Sequence, residues 1–232
     1  MRPKRLILVR HGESQGNVDK HAYATIPDHS LALTEAGVQQ AIEAGQKIRQ
    51  IIGEESVHFW VSPYRRTRQT FENILKAFSV AQVKMAWEHW GLREQDWGHY
   101  RECEASEILE QERDRYGANF YRFPNGESVA DVWDRQGGVI ATLFRDFNNP
   151  DYTVENVVLV THGRTMRAFC TRFFHWSIEY SEHMGNPKNC EIWVIVDRIK
   201  ASGKAHFELT TKPRMHEDVP PINDLLAEFR KR

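Results

Sequence analysis

Two histidines in this chain of 232 residues stand in the same setting. His11 follows the apolar run Leu6 to Val9 through Arg10 and precedes Gly12, and His162 follows Val157 to Val160 through Thr161 and precedes Gly163. An imidazole serves as nucleophile or general base near neutral pH, and glycine lets the chain turn tightly behind it. Either dipeptide alone reads as the end of a strand and a turn. Together, beyond the carboxyl ends of two strands in one α/β sheet, they bring two imidazoles to one site. A third segment, "VSPYRRTRQT" (Val61 to Thr70), sets Arg65, Arg66 and Arg68 at the opening of a helix. Helix N-termini attract anions through unpaired N–H groups and the macrodipole. A solvated face accounts for Arg65 and Arg68, while one arginine aimed inward at an anion would justify positive charge at that end.

The elements that must position these residues alternate. "LILV" (Leu6 to Val9), "VHFWV" (Val57 to Val61), "VVLV" (Val157 to Val160) and "IWVIV" (Ile192 to Val196) read as strands covered on both faces. Val38, Ala41, Ile42, Gly45, Ile48 and Ile52 trace one helical face, with Thr34 to cap it. Further helices are predicted over Tyr64 to Phe78, after "PNGES" (Val129 to Phe147, with Gly137-Gly138 weakening its middle) and over Thr165 to Phe174. "ASGKA" (Ala201 to Ala205) reads as a turn before a last strand, His206 to Thr211. This order implies an α/β fold, a three-layer α/β/α sandwich on a mainly parallel sheet, forming one domain over residues 1–232. The charged and aromatic stretch 91–124 breaks the alternation. It reads as an insertion with one helix, Ser106 to Arg115, lying over the sheet edge and the site.

Composition narrows the functions. Thirty-one basic against 32 acidic residues give a net charge of -1 with no block of one sign, which argues against nucleic-acid binding. No apolar run approaches the roughly 18 residues of a membrane span, and Leu6 to Val9 is too short for a signal-peptide core. Cys103, Cys170 and Cys190 are odd in number and widely spaced, which suits a reducing, cytoplasmic compartment rather than a disulfide framework. The histidines, including His21, His29, His58, His89 and His99, show no i, i+4 pairing, so no metal site is expected. Core packing is the expected use of most of Trp87, Trp90, Trp97 and Trp133.

Six pieces in order, "RHGESQGN" (Arg10 to Asn17), "LTEAGVQQA" (Leu33 to Ala41), "SPYRRTRQT" (Ser62 to Thr70), "LREQDWG" (Leu92 to Gly98), "PNGES" (Pro124 to Ser128) and "THG" (Thr161 to Gly163), resemble the histidine phosphatase superfamily, which includes cofactor-dependent phosphoglycerate mutases. "AYATIPDH" (Ala22 to His29) and "FYRFPNGES" further resemble its plant and fungal phosphoglycerate mutase-like branch. The resemblance implies that His11 is the nucleophile that becomes phosphorylated. It implies that Arg10, Asn17, Arg66 and His162 grip the phosphoryl oxygens, with Ser14 and Gly163 in the same substrate-binding motifs. Glu94 matches the acid that protonates the leaving oxygen, with Asp96 its nearest rival and a surface loop carboxylate the plainer reading. Two guanidiniums and an imidazolium would meet the phosphoryl charge in place of magnesium, so neither cofactor nor metal is implied. Ser14 also fits a GxSxG spacing, but its arginine-rich partners suit phosphate rather than a serine hydrolase.

The phosphoglycerate mutases resemble one another in a lysine and an adjacent arginine pair within the inserted segment. From Tyr100 to Pro124 this chain has Arg101, Arg113, Arg115 and Arg122, with neither feature. Hydrolysis of phosphate monoesters is therefore the leading expectation, with a mutase-type phosphotransferase or a non-catalytic phospholigand-binding protein as alternatives. The expected partner is a small phosphorylated substrate or a phosphopeptide, selected by Tyr100, Arg101, Tyr116, Tyr121 and Arg122. A dimer is compatible with the sequence and not demanded by it. Ile222, Leu225, Leu226 and Phe229 give the tail one apolar helical face to dock on the body.

Overall fold

The structure is a computed structural model and describes residues 2–98, 106–199 and 205–217. In chain order, β1 (Arg5–Arg10) leads to the short helices α1 (Gln15–Val18) and α2 (Ala22–Thr25), then α3 (Glu35–Ile52), β2 (Val57–Val61), α4 (Arg65–Ile74) and β3 (Val83–Glu88). There follow α5 (Ser106–Tyr116), α6 (Val129–Phe147), β4 (Asn156–Thr161), α7 (Gly163–Phe174), α8 (Ile178–His183), β5 (Ile192–Ile199) and β6 (Ala205–Leu209). The sheet order is β3-β2-β4-β1-β5-β6. Its first four strands are parallel, and β5 and β6 are antiparallel additions at one edge.

Alternate residues of the central strands feed two cores. Leu6, Leu8, Trp60, Val157 and Leu159 pack with Val139, Leu143, Met166 and Phe169 of α6 and α7, whereas Ile7, Val9, Phe59, Val158 and Val160 pack with Ala44, Ile48 and Ile74 of α3 and α4. This division makes the three layers and explains why both faces of "LILV" and "VVLV" are apolar. Each such side chain contributes about 1.5 to 3 kcal/mol on burial. The sequence reading missed β3, because "VKMAWE" lies at the open edge, where polar residues face solvent. It also missed α1, α2 and α8, each of six residues or fewer. The helix over Tyr64 to Phe78 is α4 followed by a 3-10 turn, Leu75–Ala77. The Gly137-Gly138 pair does not interrupt α6. Of the tryptophans expected in the core, Trp87 and Trp90 are instead 41% and 72% exposed. The tail with Ile222 to Phe229 and the positions Tyr100, Arg101 and Cys103 lie outside the described residues.

Candidate active site

The two His-Gly turns meet because β1 and β4 are neighbours in register. Arg10 pairs with Thr161 at the last rung, so the next residues, His11 and His162, leave adjacent parallel strands side by side. Their ring centroids are 5.2 Å apart, close to the spacing of the strands themselves. Both are buried, at 4% and 0% exposure. His11 Nδ1 lies 2.7 Å from the Gly12 carbonyl. A carbonyl only accepts, so Nδ1 carries the proton and Nε2 keeps its lone pair. His162 Nε2 is 2.7 Å from Ser62 Oγ, and its ring meets the Tyr64 ring edge-on at 5.0 Å.

Burial holds His11 well below its ordinary pKa, helped by the Arg66 and Arg10 guanidiniums. His162 is lowered in the same way, by burial and then by Arg66. Both imidazoles are therefore neutral at pH 7, which differs from the imidazolium expected at His162. The cause is that desolvation and two cations oppose a third positive charge.

Arg66, on the first turn of α4, is buried, whereas Arg65 and Arg68 are exposed and Arg68 pairs with Glu88 at 3.2 Å. Arg10 Nη1 donates to the Pro187 carbonyl at 2.6 Å. Arg10 Nε, Arg66 Nε and His162 Nδ1 are buried without a hydrogen-bond partner among the described residues. Ser14 is buried, and both its N–H and its hydroxyl donate to Asn17 Oδ1, at 3.1 and 3.2 Å, which also accepts from Asn189 Nδ2 at 3.0 Å. Three donors on Oδ1 turn the Asn17 Nδ2 group the other way. Asn189 also donates to the His11 carbonyl at 3.2 Å. Gly163 packs so closely that a Cβ there would lie 2.5 Å from Asn186 Oδ1.

Glu94 comes from the loop after β3 and ends at the N-terminus of α7. Its Oε2 accepts from the Arg164 N–H at 3.2 Å, and its Oε1 from the Thr165 N–H at 3.2 Å. Trp97, three residues on, packs on Phe123 and under the Arg164 guanidinium. "PNGES" fixes this loop from outside. Glu127 accepts from Arg93 at 2.6 Å and from the Asp96 N–H at 3.0 Å, and Gln95 Nε2 donates to the Glu127 carbonyl at 2.8 Å. Gly98 takes a positive φ of 50°, and a Cβ there would meet the Pro124 carbonyl at 2.1 Å. Asp96, the rival acid, accepts from the Gly98 N–H and caps this turn.

The loop that carries His11 is braced in turn by "LTEAG". Thr34 caps α3 by accepting from Gly37, and its hydroxyl donates to Glu13 Oε1 at 2.8 Å. A Cβ on Gly12 would lie 2.4 Å from the Gly37 carbonyl, and one on Gly37 2.0 Å from the Glu13 carbonyl. The Gly12 N–H donates to Thr70 Oγ1 at 3.0 Å. Sequence reasoning did not single out Ser62, Tyr64, Asn189 or Asp28. Ser62, Tyr64 and Asp28 lay within quoted motifs, "SPYRRTRQT" and "AYATIPDH", whereas Asn189, 178 positions from His11, carried no local signal. Of the proposed selectivity residues, Tyr116 is 71% exposed, Tyr121 donates to Glu112 at 2.7 Å, and Arg122 pairs with Asp131. Among the described residues, no group of three His, Cys, Asp or Glu is placed to hold a metal. No helix there is long and apolar enough to cross a membrane.

The family model for the histidine phosphatase superfamily (branch 1) matches residues 6–204. The chain is 43% identical over 223 residues to a phosphoglycerate mutase-like protein of Arabidopsis thaliana, covering 90% of this chain and 79% of that one. It is 31% identical over 191 residues to an acid phosphatase of Mycobacterium tuberculosis, covering 81% and 84%. The solved structure of a mycobacterial glucosyl-3-phosphoglycerate phosphatase shares the fold at a TM-score of 0.68 and 20% identity, over 90% of this chain and 98% of that one. With its two strand-end histidines inside a match that spans most of its length, the chain belongs to the histidine phosphatase superfamily.

Proposed function

We propose that this protein is a metal-independent phosphatase of phosphate monoesters that works through a phosphohistidine on His11. The observation that carries the reading is the hydrogen bond from His11 Nδ1 to the Gly12 carbonyl, which leaves Nε2 as the lone-pair nitrogen beside a second buried imidazole. In the first step Nε2 attacks phosphorus, the bond from phosphorus to the ester oxygen breaks, and Glu94 gives that oxygen its proton. In the second, water attacks phosphorus, Glu94 takes the water proton, and the electron pair of the P–N bond returns to Nε2. Arg10, Arg66, His162 and the Asn17 amide meet the charge on the equatorial oxygens. The incoming anion reverses the electrostatic balance at His162 and favours its protonated form there.

The acid phosphatase relative supports hydrolysis. The segment 91–124, which contributes Glu94, is taken as an insertion over the site in a single domain, and Tyr116 and Tyr121 on it as the outer wall that meets the substrate. The two described cysteines are free and suit a reducing cytoplasm. The mutase-like name of a relative favours transfer to a second hydroxyl as the other reading. Hydrolysis of an aryl phosphate, assayed in EDTA for the wild type and His11→Ala, tests the mechanism. Loss of wild-type activity in EDTA, or full activity of the variant, overturns it. Faster phosphoryl transfer between phosphoglycerates than hydrolysis favours the mutase.

A further inference from the structure

Arg66 enters the site already held from behind. Its Nη1 donates to the Asp28 carbonyl at 2.6 Å and to the Asp28 carboxylate at 2.9 Å. The guanidinium lies over the Tyr64 ring, 4.9 Å from its centroid, and both members of the ion pair are buried, at 2% and 7% exposure. A guanidinium presents its donors in one rigid fork. Fixing Nη1 therefore fixes where Nε, which has no partner among the described residues, and the other donors point. Asp28 opens a single 3-10 turn, Asp28–Ser30, after Pro27, outside the motifs that supply the pocket.

We propose that Asp28 is a positioning residue that aims Arg66 at the phosphoryl group and supplies the counter-charge that lets the product phosphate leave. The inference rests on the phosphohistidine reading. Its two parts depend on different properties of the side chain. Aiming requires an acceptor at Oδ1, which asparagine keeps and alanine lacks, whereas the counter-charge is lost in both. Two guanidiniums, one buried and one half-buried, bind a phosphate dianion strongly, and the final product is that dianion. Binding that is equally strong for substrate and product lowers KM without raising kcat and slows release. A carboxylate against one guanidinium moderates this.

The test compares wild type, Asp28→Asn and Asp28→Ala for kcat and KM on an aryl phosphate, with thermal midpoints of the same samples. Calorimetric binding of inorganic phosphate to each protein, which requires no turnover, completes it. Asp28→Asn should bind phosphate on the order of tenfold more tightly, with KM and kcat both lowered. Asp28→Ala should lose on the order of 10²-fold in kcat/KM. Equal or weaker phosphate binding by Asp28→Asn, or losses in both variants that only track lost thermal stability, overturns the proposal. Full activity of His11→Ala would sink the phosphohistidine reading instead, while the calorimetric comparison would still report how Asp28 governs Arg66.

Discussion

At the N-terminal ends of β1 and β4, Lys4 meets Glu55 at 2.7 Å and Glu155 at 2.8 Å, and Arg5 meets Glu55 at 2.6 Å and Asn156 at 3.0 Å. At the C-terminal ends of the same two strands, Arg10, Arg66 and His162 each keep a buried nitrogen with no partner among the described residues. Both ends gather basic side chains, yet one closes its hydrogen bonds internally and the other does not. An unsatisfied buried donor costs about 1 to 3 kcal/mol, so its persistence marks a place where another requirement overrides stability. The N-terminal cluster should therefore govern stability and the C-terminal cluster reactivity.

His11→Ala gives the sharpest break between the two. Hydrolysis should fall by more than about 10³-fold while the thermal midpoint holds, because the nucleophile goes and the fold's packing stays. Initial rates and a melting curve on one sample decide it. Glu94→Gln comes next, with kcat lowered on the order of 10² to 10³-fold, whereas Asp96→Asn should stay within about threefold because the Asp96 carboxylate caps the Gly98 turn. Equal losses in the two variants would erase the assignment of the acid.

Glu55→Gln moves the other quantity. Burial opposes ionisation of Glu55, but hydrogen bonds from Lys4, Asn156 and Arg5 outweigh it and hold the carboxyl at about 2. Its stabilisation is present above the unfolded value near 4.5 and is lost as pH falls toward about 2. After allowance for solvent screening, the variant should lose about 1 to 2 kcal/mol in urea titrations at pH 7, with kcat/KM unchanged. The imidazoles occupy a different window. His11 and His162 are held below 6.5, so the unfolded chain binds protons that the folded chain refuses. Stability is full above about pH 6.5 and declines below it. Urea midpoints measured from pH 8 to 3 should thus fall first through the catalytic end and only later through the opposite one. The smallest effect belongs to Arg68→Ala, within about twofold in kcat/KM, since that side chain is exposed against Glu88.

The sequence showed most clearly the parts of the site whose geometry follows from short-range rules. A histidine one or two residues after a buried strand must stand at the sheet's carboxyl edge, and parallel pairing of β1 with β4 does the rest. Arg66 could be separated from Arg65 and Arg68 because adjacent helix positions face different ways. The contacts of Asp28 and Asn189 were not legible, because they join the site from 38 and 178 positions away and no periodicity records such an approach. β3 was missed for the opposite reason. Its alternation of Val83, Met85 and Trp87 with Lys84 and Glu88 is entirely local, but at an open edge the run lacks the continuous apolarity that marks the central strands.

The mutual approach of Gly12 and Gly37 has a consequence for anyone who would transplant this chemistry. Each glycine clears room for the other segment's backbone, at distances where any Cβ would collide with a carbonyl. The His11 loop and the first turn of α3 are therefore a single interlocked part. A grafted "RHG" would need "LTEAG" carried with it, and a library that diversified either glycine alone would return inactive scaffolds however well its remaining positions were chosen.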